Sequence, residues 1–163
     1  MTTARALRDR MMRRDRFSWN EVSSWIESGD IERMGAAFEA LMSKEPVVDG
    51  DVDPARAERF VVGYLIAAIE GRRDAAEVFA MQPYIAGHEL ACIYKHWRSR
   101  ARAPDVLKHA RHELARLYLT GDDALKRRVV DGALEHIFES VPCRTDFDEW
   151  KADLCWPWPS RKR

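Results

Sequence analysis

The chain has 163 residues, 46% of them hydrophobic and 33% charged, and Lys plus Arg equals Asp plus Glu at 27 each. That length fits one domain with a real core, and the composition excludes a disordered chain. The balance of charge removes any global field that would draw the protein to nucleic acid or an anionic membrane.

In chain order, nearly every segment reads as helix. Residues 5–14 predict a basic first helix, with Ala4, Leu7 and Met11 on one side; residues 1–16 hold six arginines. Ser18 and Glu21 make a capping-box pattern that opens a short helix ended by Gly29. Asp30 caps the next helix, in which Ile31, Met34, Phe38, Leu41 and Met42 share a stripe, and Pro46 stops it. An acidic loop, "PVVDGDVD", leads to Asp53-Pro54, a capping side chain followed by proline at the first helical position. Residues 54–70 are apolar nearly all round in their second half, which predicts the central helix, with Phe60, Tyr64, Leu65 and Ile69 most buried. Gly71 closes it. Further helices are predicted at 73–81, at 84–100, at 104–119 with Pro104 first, at 122–139 opened by Asp122, and at 146–154. The tail "WPWPSRKR" cannot be helical, and its Trp156 and Trp158 either fold back or meet a partner. The expected fold is all-α, about seven to eight helices stacked as antiparallel hairpins in a single domain.

Three cysteines without close-pair spacing fit a reducing compartment. The charged N-terminus has no apolar signal region. The longest apolar run, residues 60–69, falls short of the roughly 20 residues that span a bilayer. A cytoplasmic location is the expectation.

The stretch "YIAGHELACIYKHW", residues 84–97, invites a metal reading. His88, Cys92 and His96 recur every four residues, but His88 and His96 are then about 12 Å apart, too far for one zinc. Cys92 and His96 with His109 and His112 of the next helix would make a four-ligand set. At about 100° per residue, however, His112 points away from the apolar centre set by Leu107, Ala110 and Leu114, and His109 lies on its flank. The two "HEL" segments lack the second histidine of a zinc-protease helix. "DGDVDPARAERF" alternates Asp49, Asp51 and Asp53 like a calcium loop, but Pro54 and Phe60 stand where the glycine and bidentate glutamate belong. Adjacent Glu135 and His136 do not face each other on a helix. Trp97, Trp19 and Trp25 occupy packing positions. The sequence thus predicts no catalytic residue, no metal ligand and no cofactor.

"RRVVDGALEHIFESVPCRTDFDEWKADL", residues 127–154, resembles the C-terminal part of small all-helical bacterial proteins of uncharacterised type. The shared pattern is Leu134, Glu135, Ile137, Phe138 and Glu139, then Phe147 and Trp150 after a short link. Such proteins accompany contact-dependent or secreted toxins, so the resemblance implies an immunity role and transfers no site residue. The expectation is a non-enzymatic protein that binds a partner, a basic toxin, through its acidic stretches. Asp49 and Asp51 in one, and Asp146, Asp148 and Glu149 in the other, are the candidate contacts. The alternatives are a nucleic-acid-associated or regulatory protein that uses the basic first helix, and a helical metal-dependent enzyme built around residues 88–112.

Overall fold

In the computed structural model, residues 2–103 and 105–150 are described. The protein is predominantly α-helical, with one tiny sheet. α1 (Ala4–Met12) is followed by β1 (Phe17–Ser18), α2 (Trp19–Glu27), α3 (Ile31–Leu41) and β2 (Val48–Asp49). Then come α4 (Pro54–Ile69), α5 (Pro83–Trp97), α6 (Val106–Thr120) and α7 (Asp123–Val129). α7 runs into a π turn, Val130–Leu134, before α8 (Glu135–Ile137), α9 (Val141–Thr145) and a final 3₁₀ turn, Asp148–Trp150. No helix among the described residues is long and apolar enough to cross a membrane.

The capping signals hold. Ser18, Asp30, Asp53 and Asp122 each accept a hydrogen bond from the backbone N–H three residues on, satisfying one of the orphan donors of a first turn. Gly71 follows α4 with φ +93°, which a side chain would resist.

Two hydrophobic clusters share α3. In the larger, α4 packs against α5 and α6, and the π segment packs against α5, around Leu65, Ile69, Leu90, Tyr94, Leu114 and Ile137. The smaller joins Leu7, Phe17, Val22 and Trp25 to Ala36, Ala37 and Ala40, and is plugged by Phe79. Phe38 turns to the first cluster while the alanines of α3 turn to the second.

α4 is as buried as its sequence predicts, with Tyr64, Leu65 and Ile69 at 2% exposure or less. Phe60 departs from the expectation: it is half-buried, because it lies where the two clusters meet. Trp97 likewise sits at the edge of the larger cluster.

Residues 73–81 do not form the predicted helix. Their amides are used elsewhere, since the Glu32 carboxylate accepts from the N–H groups of Glu77, Val78 and Phe79. Arg8 adds a bond to the Val78 carbonyl at 2.9 Å and lies over the Phe79 ring. The Cβ of Phe79 then occupies space beside Gly35 that any larger residue there would fill. Glu58 does similar work on the other side of the molecule. Only 9% exposed, it accepts from Arg102 N and Ala103 N and so fixes the α5–α6 connection.

The predicted helix 122–139 is interrupted by the π turn, where Gly132 lets its backbone meet α5 at Gly87. Within the predicted helix 146–154 only the 3₁₀ turn Asp148–Trp150 forms among the described residues, and α9 precedes it at Val141–Thr145. The rest of that segment, the tail with Trp156 and Trp158, and Pro104 lie outside the described residues.

Candidate functional site

The sequence offered two charged features, a basic N-terminus and an acidic loop, as surfaces for partners. The fold sets them against each other. β1 and β2 pair in parallel, Phe17 with Val48 and Ser18 with Asp49, which leaves Asp49 two residues along from the partner of Arg16 and within reach of its side chain. Arg16 Nε donates to both Asp49 carboxylate oxygens, at 2.9 and 2.7 Å, and Arg16 Nη1 donates to the Pro46 carbonyl at 3.0 Å. That fork holds the Asp49 carboxyl below its ordinary pKa. Arg14 pairs with Glu45 at 3.4 Å. Arg8 pairs with Glu39, Arg10 with Glu21 and Arg13 with Asp15. Five of the six N-terminal arginines are thereby committed to carboxylates of the same chain.

The second acidic stretch is engaged in the same way. Asp146 accepts from the Tyr94 hydroxyl at 2.9 Å and from Arg98 at 3.0 and 3.1 Å. Arg111 Nη1 donates to the same Tyr94 oxygen at 2.9 Å. Burial pushes the Tyr94 hydroxyl far above its usual pKa, so it stays a donor. Glu149 lies 3.8 Å from Arg111 and accepts from Trp150 Nε1. Of the five candidate contacts, Asp49, Asp146, Asp148 and Glu149 are therefore each engaged within the chain. Asp148 is exposed on the 3₁₀ turn, and Asp51 is exposed beside Gly50.

The four side chains of the candidate metal set, Cys92, His96, His109 and His112, do not come together. His88 Nε2 lies 3.7 Å from Cys92 Sγ, and its ring meets His136 edge-on. His96 faces Arg100, while His112, exposed as its angle predicts, meets the edge of Trp150. Among the described residues, no three His, Cys, Asp or Glu side chains are placed to hold a metal ion.

What sequence reasoning missed is an open cleft of about 430 Å³ between α1, α3 and the start of α5. Its apolar surface comes from Met11, Met12, Met42, Met81 and Ile85, with Phe17, Phe38 and Val47 behind them. Four of the chain's six methionines are in it. Met12 is 76% exposed and Ile85 56%, although both are large apolar side chains. The rim carries Arg8, Asp15, Glu39 and Glu89. One signal was available: at about 100° per residue Met12 lies about 140° round α1 from Leu7, so the face that buries Leu7 leaves it outside. The walls from α3 onward arrive from residues 26 to 77 positions beyond Met12, and no local pattern announces them.

No family model matches the chain, and no curated protein or solved structure matches it either.

Proposed function

We propose that this is a non-catalytic protein-binding protein of the immunity type, which neutralises a bacterial toxin by covering it. The methionine-lined cleft is the surface it uses. One observation carries the binding part of this reading: an open apolar cleft whose two most prominent side chains, Met12 and Ile85, stand in water. Monomeric surfaces rarely leave large apolar groups contiguous without a partner to cover them. Methionine, unbranched and polarizable, moulds itself to whatever side chains arrive. The toxin as partner comes from the resemblance in residues 127–154.

The internal pairing also shifts the interface away from the acidic stretches. A toxin would have to displace Arg16 from Asp49, or Arg98 from Asp146, before using either carboxylate. The alternative of phosphate binding by α1 faces the same obstacle, since Arg8 and Arg10 would have to exchange carboxylates for phosphates.

The test is co-expression with the product of the neighbouring reading frame. The wild type should protect the cell. A Met12→Glu, Ile85→Glu double variant should melt at nearly the same temperature, because both side chains are exposed, yet fail to protect. Asp51→Lys should protect as well as the wild type. Absence of protection by the wild type rejects the immunity reading for that toxin, and full protection by the double variant removes the cleft from the interface.

A further inference from the structure

Within that reading, and resting on it, we infer that the occupant of the cleft is an amphipathic helix that carries a lysine or arginine one turn from the apolar residue covering Ile85, and that Glu89 receives it.

Three carboxylates and one guanidinium line the cleft. Arg8 and Glu39 cancel, at 2.8 Å. Asp15 is taken by Arg13 at 3.0 Å, with Arg10 at 3.9 Å. Glu89 remains, a half-buried carboxylate with no ion pair among the described residues. Its position turns away some of the water that would screen its charge, so an arriving cation is attracted more strongly than at an open surface. An arriving carboxylate is repelled, which gives the cleft a preference by sign as well as by shape.

Spacing then fixes where the cation must be. Ile85 and Glu89 are four residues apart on α5, so they lie on one face, about 6 Å apart along the axis. A helix lying over both would meet the apolar side chain with its stripe and the carboxylate one turn away. The methionines give the remaining stripe a compliant floor, which is how helices seat in apolar grooves. Specificity in this arrangement rests on one charge, and adhesion rests on the thioethers.

The probes are two synthetic helical peptides that share a leucine stripe. One has lysine, the other glutamate, four residues from the central leucine. Each is titrated with the full chain by fluorescence anisotropy. The wild type should bind the lysine peptide at least roughly tenfold more tightly than the glutamate peptide. Glu89→Lys, verified as folded by circular dichroism, should reverse that order, and Met12→Glu should weaken both. Equal affinities, no binding of either peptide, or an order unchanged in Glu89→Lys would overturn the inference. So would self-association by sedimentation that Met12→Glu abolishes, because a second copy would then be the occupant. A chain that protects against the toxin but ignores the peptide charge refutes this inference and leaves the immunity reading standing. The opposite pattern refutes the immunity reading alone.

Discussion

Glu32 shows how much one side chain can decide. It opens α3, yet its carboxylate is spent on a loop more than forty residues away, accepting three successive amides. Burial works against its charge, but the three amide donors outweigh that cost and hold its pKa below the ordinary glutamate value. A carboxyl depressed in the folded state contributes stability above its unfolded pKa, and that contribution is lost as pH falls through the folded one. The loop at 77–79 should therefore keep its hydrogen-exchange protection at neutral pH, begin to lose it below about pH 4.3, the ordinary glutamate value, and lose it fully only as pH falls through the lower folded value. Glu32→Gln, with one acceptor oxygen and no charge, should cost about 1–3 kcal/mol in urea unfolding and flatten that acid dependence. If protection at Val78 and Phe79 survives the substitution, the clamp has been misjudged. At this scale the sequence was half legible. The caps at Ser18, Asp30, Asp53 and Asp122 follow from neighbours three residues away and can be read directly. The bonds Glu32–Val78 and Arg16–Asp49 depend on residues that only the fold brings together.

The helices were legible wherever local physics and tertiary packing agreed. α4 has its cap, its proline and its apolar surround, and it occurs where its sequence says. The segments that failed are those where another element competes for the backbone. Residues 73–81 have helical composition, but their amides bond to Glu32 and Phe79 inserts beside Gly35. Residues 122–139 have helical periodicity throughout, but α5 presses on them so closely that the backbone yields into a π turn. Two glycines express the contrast in energy. A Cβ on Gly87 would sit 2.5 Å from the Gly132 carbonyl oxygen, which is backbone and cannot rotate aside. Gly87→Ala should cost about 1–3 kcal/mol, because α5 must move off the π turn. Gly63, inside α4, is exposed, and a Cβ there meets nothing within 4 Å. Gly63→Ala should stabilise by about 0.5–1 kcal/mol through the unfolded chain's lost freedom. Thermal unfolding of the two variants checks both signs at once, and a loss of stability in each would contradict this account of α4.

Across the whole molecule, neutrality is organised rather than incidental. The basic N-terminus meets the acid of residues 45–49, Arg98 and Arg111 meet Asp146 and Glu149, and the chain neutralises itself at those surfaces. The charged stretches that stand out in the sequence are thus largely engaged within the chain. The proposed cleft is built from ordinary core residue types, and only the exposure of side chains such as Met12 and Ile85 marks it. The smaller cluster of side chains has a further consequence, which concerns time. Leu7, Phe17, Val22 and Trp25 come together with α3 in the first forty residues, but the plug for that cluster, Phe79, is nearly forty residues further on. A nascent chain leaving the ribosome N-terminus first would hold these side chains partly uncovered until Phe79 emerged. Pulse-labelling of the refolding chain should show amides of α2 and α3 becoming protected in the same step as those of residues 77–79. The cluster's completion is deferred by the order in which its parts are made.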